Sequence, residues 1–347
     1  MPGPLVRALS PEAWAVQQGV TELFMLSLDP LPTRTQASLT LALLSATPLH
    51  AQTPLRVLVG FPPGGGTDAI ARILADRLKD ELGQPVVVEN KPGAGGQLAA
   101  QALKAAAPDG NTVFLSHDHS VSILPLTMKN PGFDPARDFV PVAGFATFVN
   151  AVALSGGTPA SDLKGWIAAV KAAGGKSTVG IPAPASTPQF AVQVLGQQNG
   201  LDLVAAPYRG SAPMMADMLG NTIPAGVGSV PDFIENHKAG KLRIVAVMGT
   251  QRQPQLPDVP TFTELGIKGF EDVPYYGLFA PAGTPRAALD RLGSALQKTL
   301  AQPDVRDRLT AMGLSVGYTA GDALAARETA YRQAWARIIK DSGYQPQ

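Results

Sequence analysis

Three short apolar runs, each followed by a glycine-rich or polar break, constrain the first part of this chain. LRVLVG at 55–60 is short, rich in Val and Leu, and has the pattern of a buried strand. FPPGGG at 61–66 interrupts it. Ile70, Ile73, Leu74 and Leu78 then recur at spacings of three and four, which predicts an amphipathic helix. Gly83 and Pro85 end that helix. PVVVE at 85–89 is a second strand, NKPGAGG at 90–96 a second break, and a second helix is expected over about 97–106. After a Pro108-Asp109-Gly110 turn, a third strand at 113–115 runs into the polar segment Ser116, His117, Asp118, His119, Ser120. Strand–helix units in series predict a parallel sheet with right-handed crossovers. Ligands of such sheets sit beyond the carboxyl ends of the strands. All three breaks fall at that edge.

The same style continues downstream. The pattern predicts a helix over 161–173 with Ser161 as its N-cap. A strand at 178–181, a loop at 182–187 and a helix to about 198 follow. Next come a strand at 203–206 and the turn Pro207-Tyr208-Arg209-Gly210-Ser211, then a helix carrying Met214, Met215, Met218 and Leu219. A strand at 243–248, a proline-rich connection at 251–263 and a strand at 275–280 lead to C-terminal helices over about 286–301, 304–312 and 321–341. Extended crossings near 148–154 and 275–280 separate two α/β units. The expected architecture is therefore a two-lobed α/β protein. Each lobe is a mainly parallel sheet flanked by helices, and a ligand cleft lies between them. One lobe takes 54–152 plus 278–347, the other 153–277.

Composition excludes several functions. The chain has 347 residues, with 28 Lys plus Arg against 27 Asp plus Glu, so no basic surplus exists for nucleic acid. With no cysteine, thiolate metal sites, disulfides and cysteine nucleophiles are ruled out. Residues 1–53 differ from the rest. Arg34, an apolar run at 37–46 and Pro48-Leu49-His50-Ala51-Gln52 have the order of a secretory signal peptide, with a true start expected near Met25. A soluble, exported mature protein is the expectation.

The strongest site signal is Phe61, Pro62, Pro63, Gly64, Gly65, Gly66, Thr67 and Asp68. Three glycines allow close backbone approach. Their N–H groups, with the helix N-terminus that follows, form a candidate anion site. Asp68 favours that helix end by charge, and can orient the loop or hold an amine. The spacing Gly64, Gly66, Ala69, with Glu89 closing the next strand, also matches a dinucleotide fingerprint, so a nicotinamide-dependent oxidoreductase is a rival reading. Pro62 and Pro63 between strand and glycines count against it. His117 and His119 alternate and could converge, on a metal or on the cleft, but no third ligand stands at useful spacing. No G-x-S-x-G occurs. Asp76 and Asp80 lie among Arg72, Arg77 and Lys79 and read as surface pairs.

Phe61-Pro62-Pro63-Gly64-Gly65-Gly66-Thr67-Asp68, followed by GQPVVVENKPGAGG at 83–96, resembles the Bug family, the periplasmic solute receptors of tripartite tricarboxylate transporters. Further agreement lies in APDG at 107–110, FDP at 133–135, PYRG at 207–210, AGKLR at 239–243, LPDVPT at 256–261 and APAGTP at 280–285. The likeness spans 54–344. It implies two lobes closing on a small carboxylate, held by backbone N–H groups of two loops. The first arm is 61–68; the second is 180–189.

That second arm departs from the family pattern. Pro182, Pro184 and Pro188 remove three N–H donors where a glycine-rich loop is expected, leaving the hydroxyls of Ser186 and Thr187. Ile181 and the prolines make the pocket more apolar, so an aromatic or less charged carboxylate is expected. Thr222-Ile223-Pro224 also differs from the usual Val-Asp pair, and His117 and His119 stand where small polar residues are commoner. The expected ligand contacts are Phe61, Pro63, Gly64, Gly65, Gly66, Thr67, Asp68, His117, His119, Ser186, Thr187 and Tyr208. No catalysis, cofactor, metal or nucleic acid is expected. The expected role is a monomeric receptor that delivers a small organic acid to membrane transporter subunits, or, as an orphan, to a sensor kinase.

Overall fold

The computed structural model describes residues 53–346, so the expected signal segment falls outside the described residues apart from Thr53. No helix among these residues is long and apolar enough to cross a membrane.

The chain begins as the alternation requires. Strand β1 (Leu55–Val59) leads into helix α1 (Gly66–Leu82), then β2 (Val86–Asn90), α2 (Gln97–Lys104) and β3 (Thr112–His117). Leu55, Val57 and Val59 face Ile70 and Leu74 of α1, while Leu58 faces Ala99 and Leu103 of α2. This is the period of two expected of a strand covered on both faces. Gly83 takes φ 63° and stops α1 in the left-handed conformation that lacks a Cβ penalty. β1 pairs in parallel with both β2 and β3. β3 is longer than expected from sequence: it runs through Ser116 to His117, and a π-helical turn (His119–Ile123) follows directly.

β4 (Phe139–Thr147) stays in this sheet, and β5 (Asn150–Ser155) enters the second. The second sheet is completed by α3 (Leu163–Ala172), β6 (Lys176–Ile181), α4 (Thr187–Asn199), β7 (Asp202–Pro207), α5 (Ser211–Leu219), β8 (Ala225–Ser229), α6 (Val230–Lys238) and β9 (Leu242–Val247). β10 (Tyr275–Pro281) returns to the first sheet, followed by α7 (Arg286–Ala301), α8 (Pro303–Ala311), β11 (Ser315–Ala320) and α9 (Gly321–Asp341). The expected lobe boundaries, at 152/153 and 277/278, fall inside β5 and β10. Asp162, not Ser161, caps α3: its side chain accepts the Gly165 N–H at 2.6 Å.

The first sheet has the order β11-β4-β10-β3-β1-β2 and the second β7-β6-β8-β5-β9. Each combines a parallel half with antiparallel strands. β10 runs antiparallel to β3 and β4, and β5 runs antiparallel to β8 and β9. The antiparallel members include the strands at the two crossings, and β11 also runs antiparallel to β4. A strand entering a sheet from the other lobe has no helical crossover to reverse it.

Candidate functional site

A cavity of about 50 Å³ lies where the carboxyl ends of both sheets meet. From the first lobe it is lined by Phe61, Thr67, His117, Asp118, His119 and Tyr276. From the second it is lined chiefly by Ser186, Thr187, Ser211, Ser229 and Asp232. The volume holds on the order of four water-sized groups.

Sheet pairing explains the first wall. β3 and β10 are in antiparallel register with His117 opposite Tyr276. The His117 ring then stacks on Phe61 at 5.1 Å and meets Phe148 and Tyr276 edge-on at 5.9 and 5.4 Å. Tyr276 is buried, and burial, the largest influence, pushes its phenol well above the ordinary range; it stays a neutral hydroxyl, 3.2 Å from the Thr67 hydroxyl. His119 lies behind His117. Burial drives its pKa down to about 4, aided by the neighbouring imidazole, so it is neutral at pH 7.

The second wall is made of helix starts. α4, α5 and α6 begin at Thr187, Ser211 and Val230, and α1 begins at Gly66 across the cleft. Residues at all four starts line the cavity. The first N–H groups of a helix lack intrahelical partners and carry partial positive charge. Four such ends converge on a space that no Lys or Arg lines among the described residues, although Pro188 and Pro231 carry no N–H and Asp232 already takes the Gly66 N–H. The arrangement can hold an anion by dipoles rather than by a counter-charge. The Thr187 hydroxyl is buried without a partner, as are both ring nitrogens of His119. Buried polar atoms need partners, and the Thr187 hydroxyl stands on the cavity wall.

The residues singled out from the sequence divide into groups. Phe61, Thr67, His117, His119, Ser186 and Thr187 all line the cavity. Pro63 and Gly64 are exposed and stand off it. Asp68 is buried beneath the loop. There its carboxylate accepts the Gly64 N–H at 3.0 Å and the Asn90 amide at 2.9 Å, and pairs with Arg72 at 2.9 Å. Burial alone would raise its pKa, but these hydrogen bonds outweigh burial and hold it low. Asp68 therefore shapes the loop. Gly65 and Gly66 are close-approach positions, but what approaches is the other lobe. A Cβ on Gly65 would stand 2.7 Å from the Ser211 hydroxyl oxygen, and one on Gly66 would stand 2.9 Å from Oδ1 of Asp232. Ser186 spends its hydroxyl on the Ala183 carbonyl at 2.6 Å. Tyr208 gives its hydroxyl to Asp217 and lines a separate groove with Phe61, Gly95 and Pro182.

Asp232, Ser229, Ser211, Phe148 and Asn150 were not anticipated as site residues. Ser229 and Asp232 did carry a signal. Ser-x-x-Asp is the spacing of a capping box, and both of its hydrogen bonds form. Glu89, the residue on which the dinucleotide rival depends, is paired with the Arg56 guanidinium at 2.6 and 2.9 Å. Among the described residues no group of three or more His, Asp or Glu side chains is assembled for a metal.

Comparison with known proteins gives one consistent answer. BugT of Bordetella pertussis is 30% identical over 303 residues, 86% of this chain and 93% of that protein. The structure of the periplasmic binding protein BugD superposes with a TM-score of 0.80 at 32% identity, covering 85% of this chain and 99% of that one. MatC from Rhodopseudomonas palustris, solved with bound malate, gives 0.77 at 29% identity, covering 82% of this chain and 98% of that one. Residues 70–344 match the family model described as tripartite tricarboxylate transporter family receptor, TctC. The chain belongs to this family of periplasmic solute-binding receptors, which are not enzymes.

Proposed function

We propose that this protein is an exported receptor that takes a small organic acid into the cleft between its lobes and delivers it to a tripartite tricarboxylate-type transporter. One observation carries the ligand class: four helix N-termini converge on a small cavity that no Lys or Arg lines among the described residues. Oriented N–H groups suit a carboxylate and need no counter-ion. The bound malate of MatC, a relative of similar fold, agrees with that chemistry.

In this reading Thr67, Thr187 and the N–H groups at their helix starts hold the acid, while Phe61, His117 and Phe148 pack against its apolar part. Contacts from both lobes form together only when the cleft is closed. Ligand therefore shifts an open–closed equilibrium toward closure, and the closed form is the one a transporter subunit recognises. The protein works as a monomer.

The test is thermal unfolding across a panel of C3 to C8 organic acids at millimolar concentration, followed by calorimetry on the hits. A bound acid raises the midpoint by mass action. A panel in which no acid shifts the midpoint defeats the reading.

A further inference from the structure

Two carboxylates of the chain itself border the cavity. Asp118 is buried, accepts the Tyr331 hydroxyl at 2.9 Å, and stands 3.4 Å from Nδ1 of His117. Asp232 reaches in from the first turn of α6. Its Oδ1 accepts the Gly66 N–H at 3.0 Å; its Oδ2 accepts the Ser229 N–H at 3.2 Å and the Ser229 hydroxyl at 2.6 Å. A carboxylate offers about four acceptor positions, and three are filled here. One remains on a side chain that lines the cavity.

Asp232 thus occupies part of the anion site that the glycine loop and helix α1 create. A ligand carboxylate has the starts of α4 and α5 and the rest of the α1 start at its disposal. A second ligand carboxylate, however, would meet Asp232 with neither Lys nor Arg among the described lining residues to offset the repulsion. Like charges brought close in a partly dry cavity repel far more than in water. A hydrogen-bond donor in the same place would instead fill the open acceptor position of Asp232.

We infer that Asp232 sets the ligand class of this cleft: a monocarboxylate whose other end carries a hydrogen-bond donor, such as an ammonium or primary amide group, in preference to the dicarboxylate of equal length. This rests on the organic-acid reading above. Asp232 selects; the helix starts bind.

The experiment compares two isosteric sets by calorimetry at neutral pH: succinate, succinamate and 4-aminobutanoate, then adipate, its monoamide and 6-aminohexanoate. The expected result is at least tenfold tighter binding of a donor-ended acid than of the diacid of its set. Asp232→Asn keeps a side-chain oxygen for Gly66 but removes the charge. It is expected to shrink that preference at least tenfold, chiefly by gaining affinity for the diacid. Asp232→Ser serves as the second variant, and thermal unfolding confirms that both fold. A diacid bound as tightly as its donor-ended partner, or a preference unchanged in both variants, overturns the inference while leaving the organic-acid reading intact. No binding by any of the six overturns the inference, and the wider acid panel then decides whether the organic-acid reading falls with it.

Discussion

The backbone N–H of Gly66 and the carboxylate of Asp232, 166 positions apart in sequence, are joined by a 3.0 Å hydrogen bond across the cleft. The glycine is what permits it. Its φ is not left-handed, so a side chain here meets no backbone strain, but a Cβ would lie 2.9 Å from Oδ1 and 3.2 Å from Cβ of Pro231. Gly66→Val is therefore expected to hold the lobes apart without unfolding either. Ligand affinity should fall at least tenfold while the ligand-free unfolding midpoint moves by only a few degrees. Calorimetry paired with thermal unfolding checks this. Unchanged affinity would show that closure does not bring Gly66 against Asp232.

The start of α3 gives a simpler expectation. The Asp162 side chain accepts the Gly165 N–H at 2.6 Å, and no other side chain caps this end. Losing such a cap costs about 1 kcal/mol. Asp162→Ala should lower unfolding free energy by that amount in urea titration, and Asp162→Ser should recover most of it. Equal stabilities for all three proteins would assign the cap no weight.

Most strands of the parallel halves were legible because they are Val- and Leu-rich runs punctuated by Gly and Pro. β8 was not. Its sequence, AGVGS, lacks a strand-like run, yet every residue is buried. A Cβ on Gly226 would stand 2.6 Å from the sulfur of Met218, and one on Gly228 would stand 3.1 Å from the Phe233 ring. Glycine there lets α5 and α6 pack close to the sheet, which erases the hydrophobic signal. The candidate site divides the same way. The glycine loop and the Thr187 hydroxyl were readable as local chemistry. The partnership of Asp232 with Gly66 was not, because a capping residue on one lobe reveals nothing locally about a helix start on the other.

His119 makes stability fall on the acid side. Burial holds its pKa at about 4, against an ordinary value of 6.5. Between these values the unfolded chain takes up a proton that the folded chain refuses. Stability is thus full above about pH 6.5 and is lost as pH falls toward 4, by roughly 3 kcal/mol from this group. His237, lowered mainly by burial, acts in the same direction. His119→Gln removes the titration, so its unfolding free energy should fall less steeply than wild type between pH 6.5 and 4. Parallel curves would place the acid sensitivity elsewhere.

Glu328 acts in the opposite sense. It is 7% exposed on α9, with no Lys or Arg salt-bridge partner among the described residues. Burial raises its pKa from 4.5 to about 7, partly offset by Arg332 and reinforced by Asp134. Because the folded value lies above the unfolded one, its contribution is present below about pH 4.5 and is lost as pH rises through 7. At pH 8 the folded protein carries a poorly solvated charge, at a cost on the order of 2–3 kcal/mol. Glu328→Gln keeps the shape and removes the charge. It should stabilise the protein at pH 8 by roughly that amount and change little at pH 4.5, where wild-type Glu328 is protonated when folded. Urea titrations at the two pH values decide it. A stabilisation of equal size at both would mean that the gain comes from packing or hydrogen bonding, since only the ionised form differs between the two conditions.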